Sequence, residues 1–154
     1  MILRLNSQHL ANIRVHAERT YPEECCGLLL GKSDPTGKTV MEVKATKNEW
    51  SDDQGDPSNQ RQYEIAPAEL LAAMKDARSR GLDIIGIYHS HPDHPAIPSE
   101  CDRAAAWSQY SYAIVSVPKG TAAELQSWSL DDQQIFQPED LLIDEGNPKF
   151  ERSN

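Results

Sequence analysis

The sequence predicts a single domain of the α/β class, and three observations carry that expectation. Its 154 residues suffice for one hydrophobic core. Two short apolar runs, CGLLLGK and DIIGIYHSH, have the length and composition of buried strands. Between them, PAELLAAMKDARSRG has helical spacing, with a proline at its front and a glycine at its back.

Residues 6–19 place Leu10, Ile13 and Ala17 at helical spacing, with Asn6 or Ser7 able to cap the start and Pro22 ending the segment. CGLLLGK passes through DPTGK, which carries turn chemistry, into TVMEVKATKN. There Val40, Val43 and Ala45 sit among polar residues, so the two strands are expected to pair as a hairpin. Residues 49–62, EWSDDQGDPSNQRQ, are almost without apolar side chains and read as a long insertion loop, functional or disordered. YEIAP resumes an extended pattern. The following helix starts with Pro67 at its first position, buries Leu70, Leu71 and Met74, and has Gly81 just past its end. In DIIGIYHSH, period two puts Ile85, Ile87, His89 and His91 on one face and Ile84, Gly86 and Tyr88 on the other. SECDRAAAWSQY reads as a short helix, and YAIVSVP and AELQSWSLD as strands separated by KGT. Residues 131–154 read as a polar C-terminal tail in which IFQPEDLLI forms an edge strand. The domain spans residues 1–154, with its core over about 5–130.

Fifteen basic and twenty-four acidic side chains give a formal charge of −9. Nucleic acid and anionic membranes both call for a basic face, so neither is expected as the main partner. No apolar run approaches the roughly 20 residues that span a bilayer. The first residues have no uninterrupted apolar region of the signal-peptide kind. Three cysteines, two of them adjacent (Cys25 and Cys26), make a poor disulfide framework and point to a reducing, cytoplasmic setting.

Chemistry concentrates in HSHPDHPAIPSECD. Residues i and i+2 of a strand point the same way, so His89 and His91 can converge on one cation. They can equally be two ordinary histidines at a strand end. Asp102 lies eleven residues beyond His91, across a turn containing Pro92, Pro95 and Pro98. Returned to the strand end, it completes a set of two histidines and one carboxylate with a fourth position open to water, the catalytic zinc arrangement. PSECD also fits a capping box, with Ser99 as N-cap and Asp102 three residues on, and a capped helix is a rigid mount for a ligand. Such chemistry needs a base as well. YPEECCGLLLG offers Glu23 and Glu24 just before a buried strand, where a plain turn with solvated glutamates is the competing reading.

Taken together, H-S-H-P, six residues, S-x-x-D and an upstream E-x-x-G resemble the motif of the JAMM (MPN+) metalloproteases at every position. The residues are His89-Ser90-His91-Pro92, Ser99-Glu100-Cys101-Asp102 and Glu24-Cys25-Cys26-Gly27. The likeness extends to YEIAP and to the order of elements. It implies a curved mixed sheet flanked by helices, the cytidine-deaminase-like fold, with zinc (Zn2+) at the sheet's end. It further implies that His89, His91 and Asp102 bind zinc, that Glu24 rather than Glu23 holds and deprotonates the water, and that Ser99 donates a hydrogen bond to the oxyanion. The family cleaves peptide or isopeptide bonds after the Gly-Gly tail of ubiquitin-like proteins. This chain is similar to its short prokaryotic branch, near the peptidases that act on sulfur-carrier proteins. Loop 49–62 stands where the family's first insertion lies. A Gly-Gly tail is expected to lie extended against an exposed strand edge. The alternative is a non-catalytic, metal-binding interaction module of the MPN type, which would have lost ligands that this sequence keeps.

The other polar candidates carry less. His94 reads as a solvated turn residue, and His9 and His16 as helix residues without a partner. Cys25, Cys26 and Cys101 match no zinc-knuckle spacing and read as packing residues or as outer neighbours of the metal ligands. Trp50, Trp107 and Trp128 read as core or rim.

Overall fold

A computed structural model describes residues 2–50 and 62–144. Its strands are β1 (Ile2–Asn6), β2 (Cys26–Asp34), β3 (Gly37–Thr46), β4 (Asp83–Pro92), β5 (Ser111–Val117), β6 (Leu125–Leu130) and β7 (Phe136–Asp144). Its helices are α1 (Ser7–Thr20), α2 (Pro67–Ser79) and α3 (Glu100–Ala104). The strands hydrogen-bond in the order β1-β3-β2-β4-β5-β6-β7, and the sheet closes where β7 meets β1. Pairs β1/β3, β1/β7 and β4/β5 are parallel and the rest antiparallel, so the sheet is mixed, as the family resemblance implies.

Closure depends on two strands that the sequence reading missed or misplaced. β1 is only five residues long, with Leu3 and Leu5 alternating inward, too short a pattern to stand out beside the helix that follows. IFQPEDLLI is not an edge and not part of a tail. β7 pairs with β6 on one side and β1 on the other, and its Leu141 and Ile143 pack on the core. Its residues Gln137, Asp140 and Asp144 face solvent, which gave the segment its polar composition. Residues 145–154 of the expected tail, and residues 51–61 of the expected loop, lie outside the described residues.

The hairpin of β2 and β3 forms as expected, with Asp34 opposite Gly37 and Cys26 opposite Thr46. The Asp34 carboxylate accepts from the Thr36 and Gly37 amides, the local bond that makes aspartate a turn residue. Two bulges then break strict alternation. On β3 the register passes from Glu42 to Val40, leaving Met41 as the extra, exposed residue. On β4 it passes from Gly86 to Ile84, leaving Ile85 unpaired with β2. Ile85 therefore packs with Tyr88 and α1, and not with Ile87 as period two predicts. Beyond the bulge alternation resumes, so His89 and His91 do follow Ile87.

The two helices cover two separate cores. α1 starts at Asn6, whose side chain accepts from the His9 amide while the His9 ring accepts from the Asn6 amide. It buries Ile13 and Ala17 against Leu3, Leu29, Tyr88 and Val115. α2 has Pro67 at its start and Gly81 at φ +72° just beyond its end, both as expected. Its buried face differs from the expectation: Ala73 and Ala77 are inside, while Leu71 and Met74 are 52% and 41% exposed. Leu28, Leu30 and Ile87 already fill the space above the sheet, so the helix presents its small residues to them. No described helix is long and apolar enough to cross a membrane.

Candidate metal centre

β4 lies between β2 and β5, and its last residues reach the end of the sheet. His89 sits opposite Cys26, and its side chain is fully buried. The Ser90 amide donates to the Cys25 carbonyl at 3.2 Å, and the Cys25 amide donates to Ser90 Oγ at 2.8 Å. These two bonds register the residue after Glu24 against the residue between the histidines.

Gly27 lies opposite Tyr88, and a Cβ there would stand 2.2 Å from the tyrosine ring. The ring has nowhere else to go, because Tyr88 is fully buried with its hydroxyl 2.7 Å from His16 Nδ1. The glycine of E-x-x-G thus makes room for the residue before His89. His16, expected to lack a partner, closes the other end of that contact.

The capping box expected of PSECD forms, and it leaves Asp102 beside both histidines. Ser99 is the N-cap of α3, with Asp102 N–H donating to Ser99 Oγ at 3.1 Å and Ser99 N–H donating to Asp102 Oδ2 at 2.8 Å. The same Asp102 Oδ2 lies 3.1 Å from His91 Nε2, and Asp102 Oδ1 lies 3.2 Å from His89 Nε2. The two Nε2 atoms are 3.2 Å apart. A tetrahedral ion with ligand distances near 2.0–2.1 Å needs its ligand atoms about 3.3 Å from one another. The nearest contacts among the three side chains match that spacing, with the two imidazoles facing different oxygens of the one carboxylate.

Proton placement strengthens the fit. His91 Nδ1 is 2.8 Å from the Pro95 carbonyl, which can only accept, so Nδ1 carries the hydrogen and Nε2 of the neutral ring presents a lone pair. A lone pair facing a carboxylate oxygen at 3.1 Å is satisfied by a cation between them, a metal ion or a second ring proton. Burial holds the His89 pKa below its ordinary value, favouring the neutral ring that a metal ligand must be. Burial alone would raise the Asp102 carboxyl, yet its contacts with His89, His91 and the Ser99 amide hold it well below the usual range. Among the described residues, His89, His91 and Asp102 form the one group of this kind able to hold a metal ion.

Glu24 is 4% exposed, and its Oε1 is buried with no hydrogen-bond partner among the described residues. Burial, reinforced by the Asp102 charge, pushes its carboxyl up to about 9. Glu23, one residue earlier, is exposed. A cavity of about 380 Å³ adjoins the centre, lined by Trp50, Tyr63, Glu64, Cys101 and Asp102 among others.

His94 is exposed and outside the metal group, as expected. Cys25 and Cys26 are buried, whereas Cys101 is exposed and lines the cavity beside Asp102, so it is an outer neighbour of the centre and not a packing residue. Trp50 lines that cavity, Trp128 donates its ring N–H to the Ala96 carbonyl, and Trp107 lies on the surface. Sequence reasoning passed over Tyr63 and Asn48. Tyr63 stacks on His89 with ring centroids 4.4 Å apart, and Asn48 bonds to the Glu24 carbonyl. Only the extended YEIAP pattern hinted at the first, and nothing distinguished the second from an ordinary turn asparagine.

Comparison with known proteins agrees with this geometry. A family model described as prokaryotic homologs of the JAB domain matches residues 6–131. The chain belongs to that family. Among its relatives is a desampylase of Haloferax volcanii, 35% identical over 108 residues, covering 70% of this chain and 72% of the relative. A probable TtuB-protein conjugate cleaving protease of Thermus thermophilus is 35% identical over 105 residues, 68% of this chain and 64% of the relative. A solution structure from Desulfitobacterium hafniense superposes with a TM-score of 0.77 at 28% identity, covering 93% of each chain. The JAB fold of this chain is thus shared with solved structures as well as implied by its motif.

Proposed function

We propose that this chain is a zinc-dependent (iso)peptidase that hydrolyses the bond after the C-terminal Gly-Gly of a ubiquitin-like or sulfur-carrier protein in the cytoplasm. The observation that carries the reading is the convergence of His89, His91 and Asp102 beside a buried carboxylate, Glu24, with an unpartnered oxygen. The relatives named for removing or cleaving protein conjugates support it.

Zinc held by His89, His91 and Asp102 would supply Lewis acidity, bringing the pKa of water to near 7. The chain's own residues do the rest. Pro95 fixes the tautomer of His91 through Nδ1. Glu24 takes a proton from the attacking water and delivers it to the leaving amine; a cation held beside it would keep the carboxylate ionised for the first transfer, while its burial raises its affinity for the proton it then carries to the second. Ser99 Oγ already accepts from the Asp102 amide, so its own hydrogen is free to be donated to the oxyanion of the tetrahedral intermediate.

The test is incubation of a Gly-Gly-terminated carrier conjugate with the zinc-loaded protein, followed by mass spectrometry. Release of the free carrier ending in Gly-Gly, abolished by chelation and restored by zinc, is the expected result. An intact conjugate in the presence of stoichiometric zinc would refute the reading, and would favour a metal-binding interaction module.

A further inference from the structure

We propose that Asn48 is a positioning residue of this site, one carboxamide that fixes Glu24 on one side and the ring of His89 on the other. The inference rests on the reading of Glu24 as base and His89 as metal ligand. Asn48 Nδ2 donates to the Glu24 carbonyl at 3.0 Å and to the Gln62 carbonyl at 2.9 Å. Its Oδ1 accepts from the Trp50 amide at 3.0 Å and from the Glu64 amide at 3.0 Å. Two donor hydrogens and two lone pairs are the whole capacity of the group, and all four are used. A backbone bond from Glu49 N–H to the Glu64 carbonyl at 2.8 Å runs alongside.

The bonds to Gln62 and Glu64 bracket Tyr63. That ring lies stacked on His89, centroids 4.4 Å apart and planes 25° from parallel. A metal-ligating histidine is ordinarily oriented by a hydrogen bond from its second ring nitrogen. His91 has one, to Pro95. His89 does not: its Nδ1 is buried and unpartnered among the described residues. The Tyr63 ring is therefore what holds the His89 imidazole in plane, and the Tyr63 backbone is held on both sides by Asn48. Segment 62–66 carries no regular secondary structure, so the side chain supplies the anchoring that a sheet ladder would otherwise give.

On the other side, Glu24 precedes β2 and lies outside its ladder. Its position is set by the Cys25–Ser90 bonds after it and by Asn48 on its own carbonyl. Asn48 thereby ties the base to the ligand shell through one rigid planar group.

The experiment measures zinc affinity by competition with a chromogenic chelator, and the visible spectrum of the cobalt(II)-substituted protein, for full-length variants whose thermal midpoints are recorded. Asn48→Ala should bind zinc 10–100-fold more weakly, the range for losing an outer-shell partner, with an altered cobalt spectrum. Tyr63→Ala should show the same loss, and Tyr63→Phe, which keeps the ring, wild-type affinity. Because both residues act through His89, the double variant Asn48→Ala/Tyr63→Ala should bind no more weakly than either single one. Asn48→Asp keeps the two accepted bonds and loses both donated ones. At saturating zinc it should lower kcat with KM unchanged, and add nothing in a Glu24→Gln background.

An Asn48→Ala protein with wild-type affinity and an unchanged cobalt spectrum would overturn the inference. So would fully additive losses in the double variant. Should Asn48→Ala fail to fold, Asn48→Asp and the Tyr63 pair decide. The affinity and spectral measurements need no substrate, so a wild-type protein that binds zinc but cleaves no conjugate overturns only the proposed function. A wild-type protein that binds no metal overturns both.

Discussion

Replacing Glu24 by glutamine separates the base from the metal ligands and can be followed without any substrate. In the metal-free protein the Glu24 carboxyl is held protonated by burial, its pKa raised from 4.5 to about 9. A carboxyl with a raised folded-state pKa contributes its full stability below the unfolded value, near 4.5, and loses that contribution as pH rises toward 9. Between pH 5 and pH 8 the loss approaches three pH units at about 1.4 kcal/mol each, so about 4 kcal/mol is its ceiling; water entering the site lowers it. Glutamine has the same shape and no proton to lose. Chelated Glu24→Gln should therefore gain stability relative to wild type on going from pH 5 to pH 8, measured by urea unfolding at the two pH values. His89, lowered by burial, contributes the opposite slope, but it is present in both proteins and cancels in the comparison. Zinc loading should remove most of the difference, because a cation nearby favours the charged carboxylate. In the zinc-loaded protein the same substitution should retain metal and lower turnover by about 10²–10⁴. The exposed Glu23→Gln should leave both measurements near wild type. Parallel pH–stability curves for wild type and Glu24→Gln would refute the buried-acid argument. Full turnover in both variants would refute the assignment of the base.

His89→Ala should abolish the binding of one zinc per chain while wild type retains it, read by elemental analysis after gel filtration. Ser99→Ala should cost about 1 kcal/mol as a lost N-cap and slow hydrolysis by roughly 10²–10³ as a lost oxyanion donor; a fall in thermal midpoint with unchanged turnover would leave Ser99 only the cap. Gly27→Ala places a Cβ 2.2 Å from the Tyr88 ring and should destabilise by about 1–3 kcal/mol, visible in the denaturant midpoint. A carrier ending in Ala-Leu should be a much poorer substrate than one ending in Gly-Gly, and equal cleavage by mass spectrometry would remove the expected tail specificity.

The site was more legible than the fold around it. His89, His91 and Asp102 could be grouped because strand periodicity and a capping box are local rules, and the three residues do cluster, with Ser99 as the cap of the helix that carries Asp102. Glu24 differs from Glu23 in its spacing to Gly27, and it is the buried one of the two. What escaped was non-local. Ile85 changed faces through a bulge set by the register with β2, and β7 found its second partner 138 residues away in β1. The exposed faces of Leu71 and Met74 depend on what already fills the space beneath α2. Asn48 and Tyr63 act through contacts that no periodicity encodes.

A sheet that joins its own first and last strands has consequences for what can approach it. Open sheets offer neighbours a row of unpaired amides and carbonyls, a template for recruiting stray strands and for aggregation. Here each described strand has a neighbour on both sides, but not over its whole length: β1 covers β3 only from Gly37 to Thr39, so among the described residues the far flank of β3 has no strand beside it from Val40 to Thr46. A β-rich protein brought close many times over is thus given only a short edge to zip onto. That edge runs toward Cys26 and His89, the end of the sheet that carries the centre. Backbone recognition is left to this short edge and to the irregular stretches around residues 62–66 and 93–99, where only a few residues of a guest can be read at a time. Such a surface suits brief engagement with the end of a chain better than lasting capture of its body.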